Sequence, residues 1–567
     1  MSDPQDDSGP SSGAGDREIL TSPDVHESPN VAGHTEGQSE PTPSTGQGCS
    51  CYIPRRYIMI GMICMGMTII HAIRVNLAVT VITLLDIKAH EKLGTIEAIS
   101  NLPTDIWDPS MAGIMHSMFY IGFFCTHIPG GFLSKHVPCH RLFGGCILIS
   151  SSLNLLIPVA ISNMGYKFTL AIRFCQGLSE GPLFPSCYGL LRQWTTPQER
   201  GRLGSTVLTG AYAGAVIGFP VAGFITHYIG WQYVYHVTSG VAILWYIIWL
   251  FGAHERPSHH PSISNEELTM IEKRQGATVI EYENEKIPWA SIFTSLPVIS
   301  LCVCNIARNF VFILMLTNEP YYLNAFNYSI AENGMLSSIP HILMTVVAFS
   351  SGYIADCLMK DNMLNATVVR KLLTCGGFGV EAICFFVLGF QRVGKVVMIF
   401  LSLGIGFSGL TVSGWQINHY DLAARYASIL VSLSSALGTL GAIASPLVAG
   451  HITNAGDKDL IFCWHIVFFI TSGVLAFAVI FYAIFGSGEP QPWSEPPPGL
   501  KLVQKNDPMA RKPYVPYLQT VPLTTLNPDK DSGGVDADRK SYGATAATEN
   551  AKGYGLETSE KKGLTAT

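Results

Sequence analysis

GAYAGAVIGFPVAG, residues 210–223, decides the fold because the chain repeats it. LGTLGAIASPLVAG, residues 437–450, aligns with it at an offset of 227 residues. An arginine within an apolar segment recurs at a similar offset, 234 residues from Arg74 to Arg308. Two loops also correspond, GGFLSKHVPCHR (130–141) and GYIADCLMKDN (352–362). Three matches at similar spacing predict two copies of one structural unit.

The composition of the chain predicts a membrane protein. Of its 567 residues, 48% are hydrophobic and only 13% are charged, and the mean hydropathy is +0.29. Soluble proteins carry about a quarter charged residues. A membrane-spanning helix needs about 20 apolar residues. Twelve such segments can be placed, at 57–85, 111–134, 141–161, 168–192, 203–228, 232–252, 295–325, 334–355, 372–390, 394–415, 425–451 and 461–486.

Twelve segments with an internal repeat predict an all-α membrane protein with the major facilitator fold, in which two six-helix halves repeat in parallel. Lysine and arginine are concentrated in the loops on the side of the termini and the central linker, which predicts that this side is cytoplasmic. The predicted parts are a disordered cytoplasmic tail (1–53), an N-terminal six-helix bundle (54–252), a cytoplasmic linker (253–290), a C-terminal six-helix bundle (291–486) and a second disordered cytoplasmic tail (487–567).

The sequence argues against an enzyme and against a nucleic-acid-binding protein. A net charge of −6 gives no basic surface for nucleic acid. The sequence contains no nucleophile elbow, phosphate-binding glycine loop or zinc-protease motif. Its 14 cysteines lack the spacing of a zinc site. We therefore expect no catalytic residue, no metal and no bound cofactor.

Arg74 and Arg308 are the candidates for binding an anion, because they occupy equivalent positions in the two halves. A charge inside an apolar segment is costly and normally faces a bundle interior or an aqueous cavity. A guanidinium can bind an oxyanion with two parallel hydrogen bonds. The alternative is that each arginine pairs with a buried carboxylate for structure. The first segment offers no acid near Arg74, and Glu319 is eleven residues from Arg308, so a substrate role is favoured.

Arg173 and Glu180 lie in the fourth segment and are candidates for an ion pair. Seven residues separate them, close to two helical turns, so both fall on nearly the same face. The pair could be switchable, with protonation of Glu180 freeing the arginine for an anion, or permanently structural. Gly181 and Pro182 follow at once and predict a broken helix, as transporters use at their sites.

His116 and His419 are the candidate histidines in or near the apolar segments. Imidazole is the natural sensor of an acidified compartment. A satisfied structural histidine is the alternative for His116. Asn327 begins the sequence Asn-Tyr-Ser in a loop on the side opposite the linker, where it could be glycosylated.

Several stretches resemble the vesicular glutamate transporter branch of the type I phosphate/anion transporter family. The likeness runs from about residue 54 to 493, and KSYGAT (540–545) extends it into the C-terminal tail. The matching stretches include RRYI (55–58), IRVNLAV (73–79), IPGGFL (128–133), RFCQGLSEG (173–181), GWQYVYHV (230–237), GMLSSIPH (334–341), VRKLLTCGGFGVEA (369–382), NHYDLAARYASIL (418–430) and SGEPQPW (487–493).

The resemblance implies uptake of a small organic anion, L-glutamate first, into synaptic or other acidic vesicles, driven by the membrane potential. It implies chloride and protons as regulators, and sodium-coupled phosphate transport in some members. Carried over by position, Arg74 and Arg308 would bind the substrate carboxylates. His116 and Glu180 would respond to protons, together with His419, and Arg173 would be linked to chloride.

Several residues depart from the pattern of the glutamate transporters, and three of them are candidates for substrate binding. Phe123 and Phe184 stand where those transporters have tyrosines, and Tyr188 stands where they have a histidine. Two hydroxyls are thereby lost from the substrate-binding surroundings. Carriage of another anion, such as phosphate, sialate or aspartate, therefore stays open, as does a pH-gated chloride conductance. The expected partners are the anion, membrane lipid and trafficking proteins on the tails, and the plasma membrane is the alternative location.

Overall fold

The computed structural model describes residues 53–92, 107–275, 281–282, 287–360, 363–423, 426–454, 459–494 and 502–503. Sixteen α-helices account for most of these residues. They are α1 (Arg55–Lys92), α2 (Pro109–His136), α3 (Cys139–Val159), α4 (Tyr166–Glu180), α5 (Leu183–Trp194), α6 (Pro197–Tyr228), α7 (Trp231–Gly252), α8 (Asn265–Gln275), α9 (Trp289–Thr294), α10 (Leu296–Asn324), α11 (Ile330–Met359), α12 (Ala366–Leu388), α13 (Gly394–Phe407), α14 (Trp415–Ala423), α15 (Ala427–Thr453) and α16 (Leu460–Phe485). Two short strands, β1 (Glu281–Tyr282) and β2 (Leu502–Val503), pair antiparallel.

Eleven helical segments in the described ranges are long and apolar enough to cross a membrane. They correspond to the predicted segments except the fourth, which was predicted as one span at 168–192. That region is instead divided into α4 and α5, each shorter than the roughly 20 residues that a span requires. The break falls at Gly181 and Pro182, as predicted, because proline lacks the amide that would continue the ladder of α4.

The two copies of the repeated glycine segment hold equivalent pairs of helices together. Gly214 of α6 packs on α1, where an added Cβ would lie 2.6 Å from the carbonyl oxygen of Thr68. Gly441 of α15 packs on α10, where an added Cβ would overlap the carbonyl oxygen of Ile306. Small residues let helix backbones approach closely in a membrane. The repeat therefore pairs α1 with α6 and α10 with α15.

A second set of glycines joins the two repeats to each other. Gly223 of α6 meets Gly334 of α11, and Gly113 of α2 meets Gly450 of α15, with an added Cβ 3.0–3.2 Å from the facing Cα in each case. All four lie at the end of the bundle opposite α8. We call this the far end and the end that carries α8 the linker end. At the far end, the helices of the two repeats are in backbone contact.

The linker caps the first helix through Glu267. The hydroxyl of Ser264 accepts a hydrogen bond from the backbone amide of Glu267 at 3.1 Å and so caps the start of α8. The Glu267 carboxylate accepts hydrogen bonds from the backbone amides of Arg55 and Arg56, the first two residues of α1, at 3.0 and 3.1 Å. An anion at a helix N-terminus is stabilised by the free amides and the helix dipole. The linker is thereby fixed to α1.

Glu255, just after α7, binds the start of α3 in the same manner. Its carboxylate accepts hydrogen bonds from the backbone amide and the ring Nδ1 of His140, each at 2.9 Å. It also accepts one from the side-chain amide of Gln193, at 2.9 Å. Burial raises the pKa of Glu255, but the hydrogen bonds from His140 and the backbone of Cys139 outweigh burial and lower the pKa to about 2. Glu255 is therefore ionised and fixed at neutral pH.

Candidate functional site

Arg74 of α1 is paired with Glu180 at the end of α4. Arg74 Nη2 lies 2.6 Å from Glu180 Oε2, and Arg74 Nε donates to the same oxygen at 2.8 Å. Glu180 also accepts a hydrogen bond from the Ser150 hydroxyl of α3 at 2.6 Å. Arg74 is 8% exposed and Glu180 1%. Three helices of the first repeat therefore meet at one buried carboxylate.

The prediction that Arg173 and Glu180 pair with each other is wrong. Seven residues along a helix correspond to about 10 Å of rise, so two side chains on one face remain well separated. A residue of a neighbouring helix can instead approach at the same level, as Arg74 does. Glu180 thus supplies the buried carboxylate that the first segment lacks, and an anion that reaches Arg74 must compete with it.

Arg308 of α10 has a different environment. Its guanidinium donates to the Ser408 hydroxyl and to Met344 Sδ, both at 3.1 Å, and lies 4.9 Å from the centre of the Phe312 ring. Among the residues that the structure describes, no carboxylate forms an ion pair with it. Glu381 of α12 interacts with it electrostatically from farther away. Arg308 is 6% exposed, so a buried cation is held mainly by neutral groups.

Arg173 and Arg74 lie close to the same aromatic ring, that of Phe119. Arg173 Nη1 donates to the Gln176 side chain at 3.0 Å. The guanidinium carbons of Arg173 and Arg74 lie 5.0 and 5.1 Å from the centre of the Phe119 ring. His116 of α2 is 1% exposed and feels the charge of Arg173, and neither of its ring nitrogens has a hydrogen-bond partner in the described part of the chain. A buried cation thus faces an imidazole that hydrogen bonding does not fix.

The departures from the glutamate transporter pattern lie next to Arg74. The Phe123 ring centre is 5.7 Å from the Arg74 guanidinium and 6.5 Å from the Phe184 ring. Tyr188 follows Phe184 by about one turn of α5, is 44% exposed, and interacts electrostatically with Tyr420 of α14, which is 59% exposed. Apolar rings therefore lie beside the paired arginine, and exposed tyrosines of both repeats begin one turn nearer the linker end.

His419 is fixed by hydrogen bonds at both ring nitrogens. Nε2 lies 2.8 Å from the Ser434 hydroxyl of α15, and Nδ1 lies 2.9 Å from the Gln416 carbonyl oxygen. Asn305 of α10 also donates to Ser434, at 3.3 Å. The ring thereby joins α14, α15 and α10, and it stands apart from the arginines.

Asn327 is exposed in the turn between α10 and α11 at the far end. It has a positive φ of 60°, which asparagine adopts more readily than most residues. The hydroxyl of Ser329, the third residue of the predicted glycosylation sequence, caps α11 by accepting the amide of Glu332. The sequence Asn-Tyr-Ser therefore lies on an accessible surface.

Residues that sequence reasoning missed are mainly the polar partners of the buried charges. Ser150 and Ser408 bind Glu180 and Arg308, and a single serine in an apolar segment gives only a weak signal of that role. His341 is the third polar partner that was missed, and it lies opposite the buried carboxyl group of Glu319. The sequence placed Glu319 nearest to Arg308, but helix packing turns it toward α11.

Comparison with known proteins identifies relatives over most of the chain. Residues 56–438 match the family model of the Major Facilitator Superfamily. Vesicular glutamate transporter 2 of Homo sapiens is 40% identical over 453 residues, covering 79% of this chain and 77% of that protein. Vesicular glutamate transporter 1 of Bos taurus is 39% identical, covering 79% and 80%. Vesicular glutamate transporter 3 of Danio rerio is 40% identical, covering 79% and 76%.

Solved structures of low sequence identity show the same fold. The D-xylose–proton symporter has a TM-score of 0.59 at 14% identity, covering 76% of this chain and 98% of that one. A bacterial homologue of the human lysosomal transporter Spinster, in an inward-facing and occupied conformation, has a TM-score of 0.58 at 12% identity, covering 76% and 97%. The predicted major facilitator fold is confirmed.

Proposed function

This chain belongs to the major facilitator superfamily and, within it, to the vesicular glutamate transporter family, and from that premise we propose that it carries L-glutamate by secondary active transport. It is a multi-pass membrane protein and not an enzyme. In this fold the two halves rock about a central site, which is exposed to one side of the membrane at a time. The contacts at the far end and the exposed tyrosines nearer the linker end fit a state that opens toward the linker.

The observation that carries the proposal is the buried Arg308 guanidinium, which has no carboxylate partner among the described residues. A buried charge is strongly unfavourable unless it is paired. A substrate carboxylate would supply the missing charge and accept two parallel hydrogen bonds from the guanidinium. Ser408 would orient the guanidinium for that contact.

Arg74 provides the second anion site of the proposal, under the control of Glu180. Protonation of Glu180 would remove the charge that now holds Arg74 and free the guanidinium for the other carboxylate of glutamate. Luminal protons would thereby promote binding at Arg74. Chloride is proposed to act at Arg173, beside the unfixed imidazole of His116. Neither sodium nor a metal has a role in this scheme.

We place the protein in the membrane of an acidic, synaptic-type vesicle, with both termini and the linker in the cytoplasm. A vesicle potential that is positive inside would then draw the anion inward. The tails, at 1–53 and 487–567, lie almost wholly outside the described residues and are proposed to bind trafficking proteins.

A second candidate is a carrier of another anion on the same scaffold. Phe123 and Phe184 favour it, because they present no hydroxyl next to Arg74. Inorganic phosphate, sialate and aspartate are the anions to compare. A chloride conductance through the region of Arg173 and His116 is distinguished from both carriers, because a channel cannot concentrate an anion beyond its electrochemical gradient.

The test is uptake of radiolabelled glutamate into proteoliposomes with an inside-positive potential and chloride present. We expect concentrative uptake that Arg308→Ala abolishes and that Arg392→Ala retains. Arg392 is the matched control, because it is an exposed arginine whose partner is Asp459 on the surface. Uptake of phosphate or aspartate without glutamate would select the second candidate. Chloride flux without accumulation of any anion would contradict both carriers.

A further inference from the structure

Glu319 of α10 and His341 of α11 form a buried acid–imidazole pair that the proposed transport scheme does not use. Both side chains are 0% exposed, and Glu319 Oε2 lies 3.6 Å from His341 Nε2. Within the described ranges, neither oxygen of the carboxylate and neither nitrogen of the imidazole has a hydrogen-bond partner. Buried polar groups are almost always hydrogen-bonded. Two such groups that face only each other therefore need another explanation.

The pair lies on the contact between the two repeats. The His341 ring stacks on Phe219 of α6, with ring centres 5.6 Å apart and an interplanar angle of 21°. Phe219 precedes Gly223 by one turn, and Gly223 is in backbone contact with Gly334 at the far end. Separation of α6 from α11 at this end would therefore remove Phe219 from the His341 ring, which would keep only the edge contact with Phe312 of α10 at 6.0 Å, and would admit water to the pair.

Few charges act on the pair from the surrounding helices. Arg308, on α10 itself, acts on His341. On the neighbouring helices, Arg74 of α1 is held by Glu180, and Glu381 of α12 interacts with Arg308. His419 of α14 and His465 of α16 are hydrogen-bonded elsewhere. The buried faces of α13 and α15, in the parts that the structure describes, carry no charged side chain. Among the residues that the structure describes, His341 in its protonated form is thus the only cation in contact with the Glu319 carboxylate.

The number of protons on Glu319 and His341 decides whether the pair can stay buried between α6 and α11. A neutral carboxylic acid beside a neutral imidazole contains one proton more than a carboxylate beside a neutral imidazole. A carboxylate beside an imidazolium contains the same one additional proton. Without that proton, the interface would enclose a lone carboxylate, which is strongly unfavourable. Sealing the interface is therefore linked to the binding of one proton.

We propose that Glu319 and His341 together bind one proton from the compartment at the far end, and that this proton is required for α6 and α11 to close over them. The proposal rests on the alternation of the two halves, but it does not depend on which anion is carried. A low pH at the far end favours closure there. A high pH leaves the carboxylate ionised and favours separation of the two helices.

The experiment measures opening of the far end directly, without substrate. A cysteine is introduced at Ala331, which is 9% exposed in the first turn of α11, in purified protein in nanodiscs. Its labelling by a membrane-impermeant maleimide is followed between about pH 5.5 and 7.5, where imidazole titrates. Labelling of the native cysteines is subtracted. The same cysteine in the Glu319→Gln background corrects for the pH dependence of the maleimide reaction.

We expect labelling, relative to Glu319→Gln, to rise with pH by up to about tenfold per unit, the limit for one proton. Glu319→Gln is neutral at every pH, so its own labelling should be low and should change with pH only through the reactivity of the maleimide. His341→Asn leaves the carboxyl group in place but removes the second group that shares the proton, so the pH dependence should persist with a shifted midpoint. Glu332→Gln is the matched control on α11, because glutamine also completes the capping box with Ser329, and it should behave like the parent.

A pH dependence that is the same in the parent and in Glu319→Gln would overturn the proposal. Loss of the pH dependence in His341→Asn alone would assign the proton to the imidazole and also overturn the shared site. Labelling that depends on sodium instead of pH, compared in sodium and choline chloride, would identify a cation site in its place. Should Glu319→Gln fail to fold, the pH dependence of the maleimide reaction is corrected with free cysteine in solution. Corrected labelling of the parent that does not rise with pH then rejects the proposal.

Because labelling needs no substrate, its result is independent of the uptake assay. Proton-linked closure without glutamate uptake would reject the proposed substrate and retain the proton site. Glutamate uptake without proton-linked closure would do the reverse.

Discussion

Arg74 and Arg308 occupy corresponding helices of the two repeats, yet their charges are balanced differently. Arg74 is paired with Glu180 at 2.6 Å, whereas Arg308 is held by a hydroxyl, a thioether and an aromatic ring. The repeat therefore fixes where a buried charge lies but not what neutralises it. In a carrier this asymmetry is useful. Arg308 can bind the anion directly, whereas Arg74 becomes available for an anion only when Glu180 is protonated.

The largest effect expected from this asymmetry is on stability. Arg74→Met leaves the Glu180 carboxylate buried and unpaired, which should lower the free energy of unfolding by about 3–5 kcal/mol. Arg308→Met removes a buried charge that has no ionised partner beside it, so its effect should be within about 1 kcal/mol or stabilising. Thermal unfolding of the purified variants in one detergent measures the difference.

A double variant checks the cause of the first effect. Adding Glu180→Gln to Arg74→Met should recover most of the lost stability, because the unpaired charge is then absent. Equal losses from Arg74→Met and Arg308→Met would show that the two arginines are balanced alike, against the geometry described above.

A smaller effect is expected where a carboxylate is fixed outside the membrane. Glu255 has its pKa lowered from 4.5 to about 2, so the folded state holds it ionised more strongly than the unfolded state. Its contribution is complete above pH 4.5 and is lost as the pH falls toward 2. A shift of this size corresponds to about 3 kcal/mol, which solvent screening of the partly buried carboxylate reduces to on the order of 2 kcal/mol.

The unfolding of Glu255→Gln, measured as a function of pH, tests this contribution. The variant should be less stable than the parent at neutral pH, and the two should converge only as the pH approaches about 2. Glu266→Gln, which alters an exposed glutamate on α8, should follow the parent throughout. A constant difference between Glu255→Gln and the parent at every pH would mean that the loss is one of packing and not of charge.

The sequence was sufficient for the features that depend on local composition. Runs of apolar residues located eleven of the spans. Gly181 and Pro182 located the break in the remaining segment, which is the fourth along the chain. Ser264 and Glu267 form a capping contact of the same local kind at the start of α8. Each of these features follows from residues within a few turns of each other, where hydropathy, proline and capping act.

The sequence did not predict which residues of different helices contact each other. Arg74 and Glu180 are 106 residues apart, and within α4 the sequence offered Arg173 as the partner of Glu180. Glu319 and His341 are on adjacent helices, but the sequence does not show which faces of α10 and α11 meet. The contact of Glu267 with α1 crosses more than 200 residues. Such pairs depend on the rotation of whole helices, which packing of the complete bundle decides.

The smallest expected effect concerns the rings around Arg74. Phe123→Tyr and Phe184→Tyr would each add a hydroxyl near a guanidinium whose present neighbours on that side are apolar. One net hydrogen bond contributes about 0.5–1.5 kcal/mol, which corresponds to a change in KM of roughly two- to tenfold. If glutamate binds at Arg74, we expect each variant to lower the KM for glutamate uptake while Vmax changes little.

Phe224→Tyr is the control for this prediction, because Phe224 is exposed on α6 away from both arginines, and its KM should match that of the parent. The same measurement on phosphate uptake sharpens the comparison of the two arginines. A KM that falls for glutamate alone would place an organic part of the substrate beside Phe123. A KM that is unchanged for every anion would mean that Arg74 remains with Glu180 throughout the cycle, and that Arg308 alone binds the substrate.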